Sequence, residues 1–146
     1  MTPTEKNKEL VTRYLAALNA RDVDAAAAFT ASDVVNHGAI PEAQGAAGMK
    51  IILTKLFKAM PDMKMTCEDL IAEGDRVVCR MRVRGTQTGP FEMSRMPLPA
   101  TGRESSTEQI HIFRIAGEKV VEHWVGRDDI GMLRQLGHLP AQTGKA

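Results

Sequence analysis

In the segment Glu108-Gln109-Ile110-His111-Ile112-Phe113-Arg114-Ile115-Ala116-Gly117-Glu118-Lys119-Val120-Val121-Glu122-His123-Trp124-Val125, two runs rich in Ile, Val, Phe and Trp flank a short break at Ala116-Gly117-Glu118. β-Branched and aromatic residues on either side of a glycine-bearing break predict two antiparallel strands, Ser106 to Ile115 and Lys119 to Val125. The length of the break decides what each face carries. A three-residue loop pairs Ile115 with Lys119, sets His111 directly opposite His123 and makes both imidazoles project from one face. A loop of two or four residues shifts the pairing by one and sends them to opposite faces, because side chains alternate with period two. The facing arrangement is the expectation, with Gln109, Phe113, Val121 and Val125 sharing that face.

Upstream, Val77 to Arg84 alternates Val77, Cys79, Met81 and Val83 with Arg80, Arg82 and Arg84, so one face is apolar and the other solvated or paired. Met63, Met65 and Cys67 alternate with polar residues in the preceding run, and Glu73-Gly74-Asp75 joins the two into a hairpin. Before the strands the period is helical. Thr2-Pro3-Thr4-Glu5 is a capping box that opens a helix to about Asn19, with Leu10, Val11, Tyr14, Leu15 and Leu18 in one stripe. Asp22 caps a short helix from Ala25 to Phe29, and Gly48 to Met60 forms a third helix closed by Pro61. Ser32 to Gly48, with Asn36-His37-Gly38 and Pro41, predicts a loop over one end of the domain. Gly89 to Gly102, containing Met93 and Met96, predicts a flap-like connection, and Asp128 to Leu136 a last helical turn or two ending at Gly137. Three helices followed by a meandering sheet give an α+β class, a curved antiparallel sheet wrapped on the helices and enclosing a pocket, within a single domain of 146 residues.

Composition narrows the partners. With 43% apolar and 25% charged residues the chain is ordinary globular protein, and a net charge of +1 provides no field to hold a phosphate backbone, so no nucleic-acid partner is expected. No apolar run approaches bilayer length and the N-terminus lacks the apolar stretch of a signal peptide, so no membrane partner is expected and the cytoplasm is the simplest location. Cys67 and Cys79 fall on adjacent predicted strands without CxxC spacing, which predicts two reduced, half-buried thiols. The four histidines show no HExxH, HxxE or HxH pattern, and no metal or other cofactor is expected. GxSxG, GxGxxG and P-loop motifs are absent, which sets aside hydrolase elbows and nucleotide chemistry.

Two imidazoles facing each other in a pocket of low dielectric disfavour double protonation, so at least one stays neutral near pH 7 and can accept a proton. That suits His111 and His123 to general base catalysis; the competing reading, which the residues alone favour, is that each merely donates to a polar acceptor in a half-polar core. Asp128 and Asp129 stand at a helix start, where N-capping competes with catalysis.

Glu108 to Ile115, Lys119 to Trp124 and Gly131-Met132-Leu133-Arg134-Gln135-Leu136-Gly137 are similar to the C-terminal signature of the SnoaL-like polyketide cyclases, within the nuclear-transport-factor-2-like superfamily. Ala17-Leu18-Asn19, Phe29, Asp33 and Val35-Asn36 resemble the N-terminal half of that family, so the resemblance spans roughly residues 5 to 140. It implies a cone-shaped fold, often dimeric, that closes rings in polyketide-like small molecules without a cofactor. Proton loss between two carbonyls gives an enolate, which attacks a nearby carbonyl. His111 matches the family's pocket histidine and Asn36 a pocket asparagine, to hold an enolate oxygen. Gln109, Phe113, Trp124, Val125 and Tyr14 complete the expected substrate-binding wall.

One departure stands out. The family's usual acid/base aspartate directly follows the position of Trp124, and here that residue is Val125. Either His123 or Asp128 takes the role, with His111 as base, or the chemistry is lost or changed. Three functions follow: a cyclase or isomerase, a non-catalytic binder of a hydrophobic metabolite or of a biosynthetic partner, and an epoxide hydrolase using Asp128 or Asp129 with Arg80 or Arg127.

Overall fold

The computed structural model describes residues 1–92 and 97–142. Helix α1 (Pro3–Asn19) starts at the predicted capping box, with the Thr2 hydroxyl accepting from Glu5 N and the Glu5 carboxylate accepting from Thr2 N. Asp22 caps α2 (Val23–Ala28) through Ala25 N. After β1 (Thr30–Asn36) and a 3₁₀ turn at Pro41–Ala43 comes α3 (Gly45–Ala59), followed by β2 (Lys64–Glu73), β3 (Arg76–Thr86), β4 (Glu104–Ala116), β5 (Lys119–Arg127) and α4 (Asp129–Gln135). The strands form one sheet in the order β1-β5-β4-β3-β2, antiparallel except for β1, which runs parallel to β5. The class is the expected α+β.

Alternation carries the core. Val77, Cys79, Met81 and Val83 of β3 and Phe113 and Ile115 of β4 are buried with Val11, Tyr14, Leu15 and Leu18 of α1 and Met49 and Leu53 of α3. Tyr14 meets Phe113 edge to face at 5.8 Å. On the other face Arg80 bonds Asp69 at 2.7 Å and Glu108 at 3.1 Å, and Arg84 bonds Glu104, so the predicted arginine face is paired. Cys67 is half-buried and Cys79 buried; both are free thiols, with their sulfurs 2.7 Å apart. Met93 and Met96, the heart of the expected flap, lie outside the described residues.

Three expectations are corrected. The segment from Ser32 begins as strand β1 rather than loop, and α3 starts at Gly45 instead of Gly48. No local pattern reveals β1, because its partner is the distant β5 and an irregularity falls between Thr30 and Val35. Gly48 lies inside α3 and marks a close approach rather than a helix start: a Cβ there would come within 2.6 Å of the backbone of Glu42 and Ala43.

The third correction concerns register. The β4–β5 turn has two residues, Gly117 and Glu118, with φ of 57° and 58°, and Ala116 pairs with Lys119. That turn alone would put the histidines on opposite faces. A bulge intervenes: Ile115 pairs with Val120 but Arg114 with Glu122, leaving Val121 as the extra residue. His123 therefore lies opposite Phe113 and His111 opposite Val125. The imidazoles share a face as expected, but diagonally, and Val121 is the bulge residue instead of a regular member of that face.

Candidate active site

Residues 109, 111 and 113 of β4 and 123 and 125 of β5 fall on one face of the sheet because of that bulge. His111 Nδ1 and His123 Nε2 are 2.7 Å apart, and His111 Nε2 is 2.8 Å from Gln109 Oε1. Phe113 stacks on His123 at 4.8 Å and 4°, fixing the ring plane. Both histidines are half-buried. Desolvation, then His123 and the Arg127 guanidinium, lower His111 to about 3. Desolvation, then Arg127 and His37, lower His123 to about 4. Near neutral pH both rings are uncharged, and the pair forms a hydrogen-bonded relay with lone-pair capacity.

The other predicted residues divide between two places. Asn36 pairs with His123 across β1 and β5, and its side-chain amide donates to Ala43 O at 2.8 Å, while Gln44 brackets its backbone. Tyr14 is buried against Phe113, its hydroxyl 3.6 Å from the Met49 sulfur, and burial pushes it up to about 12. Trp124 is not brought to the histidine pair. It lies on the outer face, stacked on His37 at 4.6 Å, with Arg76 over its ring at 5.2 Å. A cleft of about 410 Å³ opens there, lined by His37, Ile110, Ile112 and Trp124 among others. Asp128 caps α4 by accepting from Gly131 N at 2.8 Å, and Asp129 pairs with Arg127 at 3.3 Å. Arg80 is held on the outer face by Asp69 and Glu108, so the carboxylates of α4 do not bracket it.

Arg127 matters to the pair in a way that its sequence position half reveals. Counting two residues from Val125 places it on the inner face, opposite Gln109, where its charge disfavours an imidazolium. The outer network, in which His37 and Arg114 both bond Glu122, depends on the parallel pairing of β1 and has no local signal. Among the described residues no cluster of three His, Cys, Asp or Glu side chains is placed to hold a metal ion, and no helix is long and apolar enough to cross a membrane.

Comparison with known proteins adds to this geometry. The family model for SnoaL-like polyketide cyclases matches residues 8–136. The chain is 32% identical over 134 residues to aklanonic acid methyl ester cyclase DauD of Streptomyces sp. strain C5, covering 88% of this chain and 80% of that one. It is equally similar to aklanonic acid methyl ester cyclase DnrD of Streptomyces peucetius, covering 89% of that protein. The structure of TsrD from Streptomyces laurentii superposes with a TM-score of 0.82 at 30% identity, over 95% of this chain and all of that one. The chain belongs to the SnoaL-like polyketide cyclase family.

Proposed function

We propose that this protein closes a ring in a polyketide-like small molecule by intramolecular aldol chemistry, with the His111–His123 pair as its proton-transfer group. The observation that carries the proposal is the pair itself, two imidazoles 2.7 Å apart and both uncharged at neutral pH. An imidazole takes the proton from a carbon flanked by carbonyls, the enolate carbon bonds to a second carbonyl carbon, and the new alkoxide recovers the proton. Product and substrate are isomers. An imidazole of such low basicity needs help, and the amide hydrogen of Asn36 not used by Ala43 is the donor suited to an enolate oxygen. Buried Phe113 packs against the rings from within the core, and half-buried Val125 supplies apolar contact surface beside them. In the relatives' family the residue after Trp124 is the acid/base aspartate; with Val125 there, the second imidazole replaces the carboxylate.

The test uses aklanonic acid methyl ester, which names the activity of two relatives. Incubation is expected to give a product of unchanged mass, and His123→Leu and His111→Leu each to lower the rate by roughly two to four orders of magnitude. Proton exchange from heavy water into cyclic 1,3-dicarbonyl compounds checks the first step alone. Val125 favours a second possibility, a binder without turnover. Tight binding with neither exchange nor product, restored to exchange by Val125→Asp, would establish that one and sink the cyclase. The homodimer that the family resemblance implies and the cytoplasmic location expected from the sequence are part of the same proposal, and light scattering of the purified protein tests the first.

A further inference from the structure

An Nδ1···Nε2 contact between two neutral imidazoles can be made in two ways, with the proton on either nitrogen. The choice decides where the relay's free lone pair emerges. Proton on His111 Nδ1 leaves the lone pair at His111 Nε2. Proton on His123 Nε2 leaves it at His123 Nδ1, the far end of the pair. Nothing in the two rings prefers one arrangement.

Gln109 breaks the tie. Two residues before His111 on β4, it faces the same way, and its carbonyl oxygen Oε1 is 2.8 Å from His111 Nε2. A carbonyl oxygen only accepts, so His111 Nε2 must donate. A neutral imidazole carries one proton, so His111 Nδ1 is then an acceptor, and His123 Nε2 must donate to it across 2.7 Å. The remaining lone pair is on His123 Nδ1, for which the described residues supply no donor. Arg127, opposite Gln109 on β5, adds a positive charge that opposes protonating either ring and so keeps the one-proton count.

We propose that Gln109 is a positioning residue: by accepting from His111 Nε2 it sets the proton order of the relay and makes His123 Nδ1, not His111, the nitrogen that takes the substrate proton. The assignment rests on the cyclase chemistry proposed above for its catalytic consequence, but its structural content is independent of turnover. No oxidant or cofactor enters; one proton moves from carbon to His123 Nδ1 and returns to oxygen.

Long-range nitrogen–proton correlation spectra of the imidazoles test it in the unliganded protein. Both His111 and His123 are expected as Nε2–H tautomers near pH 7. Gln109→Leu removes the acceptor and is expected to populate the Nδ1–H form of His111. Gln109→Glu keeps an acceptor there and is expected to restore the native tautomers. In turnover of aklanonic acid methyl ester, Gln109→Leu is expected to lower kcat roughly a hundredfold with KM little changed, and Gln109→Glu to recover most of it. A native His123 protonated at Nδ1, or tautomers indifferent to Gln109→Leu, would overturn the assignment. Tautomers that shift as expected in a protein that neither exchanges nor cyclises any substrate would leave the positioning role standing and remove the cyclase.

Discussion

The two faces of the β4–β5 hairpin hold histidines in opposite circumstances. On the inner face His111 and His123 bond to each other, His111 meets Gln109 and Phe113 stacks on His123, and desolvation keeps both imidazoles uncharged. One residue further along the strand, on the outer face, Glu122 accepts from Arg114 Nε at 2.6 Å and lies 2.8 Å from His37 Nε2. Those two hydrogen bonds, His37 first and Arg114 second, hold the Glu122 carboxyl below the usual carboxylate range. His37 also stacks on Trp124 at 4° between ring planes, much as His123 stacks on Phe113. The aromatic packing is alike, so it does not decide the chemistry. What differs is the partner: a carboxylate and a guanidinium outside, a second imidazole inside. Parity along the strand sorts these residues into the two sets, and a single extra residue sets the parity.

The strongest way to break the comparison is to delete Val121 and Glu122 together. Removing Val121 alone would only close the bulge and leave His123 opposite Phe113; removing Glu122 as well brings His123 opposite Arg114 and Trp124 opposite Phe113, so His123 and Val125 turn outward and Trp124 turns in. Turnover is expected to vanish, because the pair no longer exists, and stability to fall, since an indole must fit where imidazole packed on Phe113. Tryptophan emission should shift to the blue as the ring leaves its half-buried stack with His37 for the core. A double-deletion protein that retains the His111–His123 imidazole signals would show that something other than strand parity sets the face.

This dependence explains how much could be read from sequence. The capping box at Thr2, the apolar stripe of α1 and the alternation of Val77 to Arg84 are local codes, and each predicted its element. The shared face of the imidazoles was also expected, but from a three-residue loop with His111 directly opposite His123. The molecule reaches the shared face by a two-residue turn corrected by a bulge, two offsets that cancel. Composition carries no sign of a bulge between Val120 and Glu122, because Val121 is as good a strand residue as its neighbours. Strand β1 was missed since its hydrogen bonds go to β5, far along the chain, and Asn36-His37-Gly38 carries the signature of a turn. With β1 hidden, the pairing of Asn36 with His123 and the bonding of His37 to Glu122 were hidden as well. Trp124 went to the outer face for the parity reason alone: it is adjacent to His123, and neighbours on a strand point apart.

A smaller effect sharpens the contrast through pH. For each inner imidazole the folded value, about 3 or about 4, lies below the unfolded 6.5. Between those values the unfolded chain binds more protons, so stability is greatest above pH 6.5 and falls as pH drops toward the folded values. The loss is expected to be on the order of a few kcal/mol for the pair together. Glu122 acts in a lower window, because a depressed carboxyl gives stability that is present above 4.5 and lost as pH falls through its folded value. Urea midpoints measured from pH 7 to 4.5 therefore isolate the imidazoles. Replacing both, His111→Phe with His123→Leu, should flatten the curve in that range, and Glu122→Gln should alter it only below. A double variant with the native slope would place the titrating groups elsewhere.

The smallest effect separates the turn from the bulge. Glu118 sits at φ 58° after Gly117 at 57°, a pair of left-handed residues that a hairpin of two residues requires and that a glutamate tolerates poorly. Asparagine is among the few side chains that visit this region readily, so Glu118→Asn is expected to add about 0.5–1 kcal/mol to stability. That amounts to a rise in Tm of a few degrees for a chain of this length, read by calorimetry. The imidazole tautomers and the proton-transfer rate should not change, because relieving the turn leaves the extra residue at Val121 in place and parity is settled after it. If Glu118→Asn instead disturbed the His111–His123 pair, the strain at the turn and the bulge would be one coupled device, with the left-handed glutamate holding the register that brings the two rings together.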